Sequence, residues 1–64
     1  MPLIEAEKQI LVEQMHLACR KVRLAIAVLE ADVPVEESTE TRLDEALALI
    51  TDTRRELTEA RNRD

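Results

Sequence analysis

The chain has 64 residues, which makes one domain at most, near the size at which a single core needs additional burial to hold a fold. It contains no glycine and no aromatic residue, and Ala, Leu, Glu and Arg abound, so glycine-built phosphate loops and aromatic base-stacking platforms are excluded and helix is expected throughout. A hydrophobic content of 45% excludes a disordered tail, and a net charge of −5 with a pI near 4.8 excludes wholesale attraction to nucleic acid or anionic membranes.

In chain order, Pro2 suits the first turn of a helix, and from Leu3 no breaker interrupts the pattern before Ala31. The first helix is therefore expected over residues 3–31. The segment ADVPVEEST, 31–39, is the only interruption. Pro34 disfavours helical geometry at Val33, and Asp32, Ser38 and Thr39 are good capping residues, so a turn is expected over 32–38. The second helix is expected over 39–62. Glu36, Glu37 and Glu40 suit its positive N-terminal end, and Arg61 and Arg63 suit its negative C-terminal end. Helices of similar length joined by a short turn fold back as an antiparallel hairpin, here a single domain over 1–64.

Apolar residues in the first helix recur at spacings of three and four: Val12, Met15, Cys19, Val22, Ile26, Leu29 and Val33, flanked by Ile4, Leu11, Ala18 and Ala25. This broad stripe is expected to face the core. In the second helix Thr39, Leu43, Ala46, Ile50, Thr53, Leu57 and Ala60 form a narrower seam of alternating large and small groups, thickened by Leu47. A second apolar ridge on the first helix, Ile10, Leu17, Leu24 and Val28, is set apart from the main stripe by Gln14 and Lys21. One partner helix cannot cover both stripes. At about 0.8 kcal/mol per buried methylene, leaving the second ridge wet would leave too little to offset chain entropy. The expected architecture is therefore all-α: a two-helix hairpin assembling as a homodimeric four-helix bundle or a higher oligomer.

Four groups of residues are candidate sites. His16, Arg20 and Arg23 share a face opposite the main stripe, where a nucleic-acid backbone would be gripped, although a solvated or ion-paired face accounts for them more simply. Glu13 and His16, at i and i+3, have the spacing of a ferritin-like di-iron ligand pair. No partner spacing marks Glu45, Asp52, Glu56 or Glu59 as the further ligands, so no metal or other cofactor is expected. Cys19 lies in the main stripe and reads as a small buried hydrophobe rather than a nucleophile. A single cysteine permits no intramolecular disulfide. The acidic run Glu30, Asp32, Glu36, Glu37, Glu40, Asp44 and Glu45, against Arg42 alone, reads as capping and solubility, or as a docking surface for a basic partner.

No motif assigns the chain to a family or to an enzymatic reaction. The longest apolar run, LAIAVL at 24–29, is far short of the roughly 20 residues that a membrane span needs, and no leader-like segment opens the chain. A cytoplasmic, non-enzymatic, bacterial-type small protein is expected, which associates with itself and holds a protein partner as an adaptor, chaperone-like factor or regulator. Ile10, Leu17, Leu24 and Val28 are the expected partner or oligomer interface. The alternatives are an RNA-binding regulator using His16, Arg20 and Arg23, and, behind it, a metal-binding bundle using Glu13 and His16.

Overall fold

The computed structural model describes residues 3–63, and among them it contains two helices and no strand. Helix α1 spans Glu5–Glu30 and α2 spans Glu37–Arg63, 26 and 27 residues respectively. At about 1.5 Å per residue both are close to 40 Å long, so they lie side by side with little overhang. The hairpin measures 49 × 16 × 13 Å along its principal axes. Pro2, expected in the first turn, lies outside the described residues.

The ends of α1 follow from its sequence. Ile4 is extended at the N-cap (φ −79°, ψ 164°), and its backbone N–H donates to the Glu7 carboxylate at 3.2 Å. Isoleucine has no acceptor to return to the helix, so only this half of a capping box exists. At the other end the Ala31 N–H donates to the Ala27 carbonyl at 3.0 Å, and the chain then leaves in an extended conformation (φ −78°, ψ 148°). Helices commonly end on a left-handed residue, which glycine favours. Without glycine the described chain has no positive φ at all, and it reverses instead through a turn and bend over 31–33 and an irregular stretch at Pro34.

Helix α2 begins at Glu37, with the Thr39 N–H donating to the Glu36 carbonyl at 3.0 Å. Thr39 is thus inside the first turn, buried against α1, rather than at the cap. Glu37 and Glu40 occupy the first turn of α2 and Arg61 and Arg63 the last, each with the sign the helix dipole favours.

The two helices meet along a narrow line. Leu11, Ala18 and Ala25 on α1 are buried against Thr39, Ala46, Thr53 and Ala60 on α2, each set at seven-residue intervals. Ala18 and Ala46 are both only 2% exposed. Side chains this small let the backbones approach closely, and the seven-residue repeat keeps the seam facing its partner along the whole length. Two longer-range polar contacts fix the register on one flank. The Thr53 hydroxyl donates to Gln14 Oε1 at 3.0 Å, and Lys21 Nζ pairs with Glu45 Oε2 at 3.1 Å.

This seam differs from the one the stripes suggested. The flank of the first stripe closes the hairpin, while Val12, Cys19, Ile26, Leu29 and Val33 are exposed and Met15 and Val22 only half-buried. On α2 only the small members of the alternating seam turn inward, and Leu43, Ile50 and Leu57 are exposed. Two helices touch along a single line, and the line with the smallest side chains permits the closest approach. The larger aliphatics are left beside it.

Among the described residues no helix is long and apolar enough to cross a membrane.

Candidate functional site

The seam divides the hairpin into two long flanks of different character. On the first flank, α1 contributes Val12, Met15, Cys19, Val22 and Ile26, and α2 contributes Leu43, Leu47, Ile50 and Leu57. Met15, Ala18, Cys19, Val22 and Ile50 line one shallow groove, with Arg23 beside them. This groove joins the two helices into one apolar surface. Ile50, which lines it from α2, is 44% exposed.

The second flank carries the ridge expected as an interface. Ile10, Leu17 and Leu24 are 57%, 38% and 45% exposed, and Val28 is half-buried. Between this row and the seam run Gln14 and Lys21, whose polar ends are engaged by Thr53 and Glu45. At its open end the ridge borders a groove lined by Leu3, Glu7, Ile10, Leu11, Gln14 and Glu56. The ridge is therefore a single apolar row on α1 with carboxylates, the Gln14 amide and the Lys21 ammonium along it, narrower than the first flank.

The remaining candidates are dispersed. His16, Arg20 and Arg23 are all exposed on α1, and among the described residues none of them makes a hydrogen bond or ion pair. Glu13 and His16 are likewise exposed, and no three His, Cys, Asp or Glu side chains among the described residues gather to hold a metal ion. Of the four carboxylates on α2 that a di-metal site would have needed, Glu45 pairs with Lys21 and Asp52 with Arg55 at 2.8 Å. Cys19, expected to be buried, is exposed in the single hairpin, because the α1 surface that faces α2 is the Leu11, Ala18 and Ala25 row. The carboxylates from Glu30 to Glu45 crowd the turn end, all of them exposed. Arg42 is half-buried there, in a groove with Val28, Val33, Pro34, Glu36, Ser38 and Thr39.

Sequence reasoning did not anticipate the two-helix apolar surface as an exposed face. The signal was present in α2: the large residues Leu43, Ile50 and Leu57 alternate strictly with the small Ala46, Thr53 and Ala60. Small and large rows at heptad spacing cannot both occupy one line of closest contact. Compared with protein-family models, curated proteins and solved structures, the chain matches none.

Proposed function

We propose that this chain is a non-catalytic, self-associating helical hairpin that holds a protein partner. The observation that carries the reading is the inversion of the usual inside and outside. Leu11 is the only large aliphatic among the buried residues, whereas thirteen large hydrophobic side chains of the described chain are exposed. Scattered exposed apolar residues are ordinary, but continuous rows of them along both flanks of a rod 49 Å long are the mark of an interaction protein. Two flanks suit two roles. The broad two-helix surface suits association with a like surface, and the narrower Ile10, Leu17 and Leu24 ridge, with carboxylates, Gln14 and Lys21 along it, suits an amphipathic helix of a partner.

The test of the reading is a pair of measurements on the wild-type chain and on the double variant Leu17→Glu/Leu24→Glu. Light scattering across a hundredfold concentration range is expected to show an oligomer for the wild type. The double variant is expected to keep that association and to lose the capture of its partner in a pull-down. Unchanged behaviour of the double variant in both assays would refute the role of the ridge, and a wild-type monomer throughout would refute self-association.

A further inference from the structure

We infer that the broad flank is the seat of a second copy of this chain, laid antiparallel so that the turn end of one hairpin meets the open end of the other. The inference rests on the self-association proposed above and specifies its surface and its orientation. Three observations carry it.

The first is symmetry within the sequence of the face. A two-fold interface must be self-complementary, residue i meeting j of the partner wherever j meets i. On α1, Val12 and Ile26 stand seven residues to either side of Cys19, and on α2, Leu43 and Leu57 stand seven to either side of Ile50. Both rows therefore read alike in either direction, and Cys19 and Ile50 line the same groove, so the two centres lie at one level of the hairpin. A two-fold axis at that level, lying in the plane of the face and perpendicular to the helices, sets α1 on α1 and α2 on α2, with Val12 against Ile26 and Leu43 against Leu57.

The second is charge. On α2 the row Glu40, Leu47, Arg54 and Arg61 runs beside the apolar surface at seven-residue steps, acidic at the turn end and basic at the open end. Among the described residues Glu40, Arg54 and Arg61 have no ion-pair partner within the hairpin. The antiparallel arrangement brings Glu40 to the arginines of the other copy, twice by symmetry. The opposite arrangement, turn end on turn end, would stack two clusters that each hold Glu30, Asp32, Glu36, Glu37, Glu40 and Asp44.

The third is size. The side of the hairpin that carries these rows is 49 Å long and 16 Å wide overall, room for the ~800 Å² that each partner contributes to a stable interface of standard size, with the apolar rows Val12–Ile26 and Leu43–Leu57 filling about 21 Å of its length at ~1.5 Å per residue. It also places the small groove and the half-buried Met15 and Val22 at the centre, where a second copy's Ile50 and Cys19 would exclude water.

Cys19 reports on the orientation. In the antiparallel dimer it lies beside the axis and faces its own copy. In the turn-on-turn dimer it faces α2 of the other chain, and the two α1 helices that carry the thiols lie diagonally across the bundle, beyond the roughly 7 Å between Cα atoms that a disulfide spans. The experiment is performed on the full chain. Sedimentation first establishes the dimer, and diamide then accepts the two electrons and two protons released when two thiols join. A cross-linked dimer that keeps its helical content is expected in high yield. Glu40→Arg is expected to weaken the dimer about tenfold at low salt, because it brings arginine to arginine, and Glu40→Arg/Arg61→Glu to restore most of the loss. A wild-type monomer at every concentration overturns self-association and this inference together. A dimer that resists cross-linking and is tightened by Glu40→Arg is turn-on-turn, and overturns the inference alone. A dimer whose mass is unaltered by Ile50→Glu uses another surface, which likewise overturns the inference while leaving self-association intact.

Discussion

Alanine and threonine at four positions of α2 decide how the hairpin closes. Ala46 is 2% exposed against α1, in a seam whose other buried residues are alanine and threonine apart from Leu11 near the open end. A leucine there has no space to occupy without pushing the helices apart, so Ala46→Leu is expected to destabilise the fold by about 1–3 kcal/mol in urea unfolding. The same change at the exposed Ala48 adds no strain and is expected to be nearly neutral, which separates overpacking from any effect of hydrophobicity. Thr53 makes one of the polar contacts that join the two helices, to Gln14 at 3.0 Å. Thr53→Val keeps the shape and removes the donor, and is expected to cost about 1 kcal/mol, read in the same urea titration. The heptad spacing of α2 already placed Thr39, Ala46, Thr53 and Ala60 in its seam, but it did not show that Leu43, Ile50 and Leu57 stay outside it. Thr39 reads as a cap residue in isolation, yet it is buried in the seam, because burial is assigned by the partner helix and not by the residue's local preference.

At the scale of the element, sequence reasoning fared better. The chain forms two long helices on either side of Pro34, as uninterrupted propensity and that proline imply, since both signals act within a few residues of chain; their ends, Glu5–Glu30 and Glu37–Arg63, differ by one or two residues from the expected 3–31 and 39–62. The weakest point is the start of α1, where Ile4 occupies the N-cap with no side-chain acceptor while Glu7 already supplies the reciprocal bond. Ile4→Thr completes the capping box, and since Ile4 is 58% exposed it sacrifices little burial. The variant is expected to gain about 1 kcal/mol, read as a higher melting temperature at fixed protein concentration. Which face of each helix turned inward was not legible at this scale. The periodicity of α1 marks a wide apolar sector, and every row within that sector has the same period, so period alone does not choose among them.

At the scale of the whole molecule the decisive quantity is how little one hairpin buries. Apart from Leu11, every buried residue among those described is an alanine or a threonine, and the chain has no aromatic side chain to add. A chain of this size with so thin a seam is expected to owe its stability to association, so folding and dimerisation should be one equilibrium. The melting temperature is then expected to rise with protein concentration, as mass action requires for a state in which two chains fold together. Thermal unfolding followed by circular dichroism over a hundredfold dilution checks this. A sharp transition at constant temperature would identify a self-sufficient monomer, and the exposed flanks would need another explanation.

The amino-acid sequence on its own determined that this protein is two long helices joined near Pro34, because propensity, the absence of glycine and one proline are local causes that need no partner to act. It also determined that apolar residues exceed what two helices can cover, which is a matter of counting. The tertiary structure alone decided which of those residues lie in the seam and which remain outside. Two rods share a single line of contact, and of several rows with equal period the one lined by alanine and threonine allows the closest approach. That choice turned the expected core stripe of α1 into an open face and joined it to Leu43, Ile50 and Leu57 across the groove.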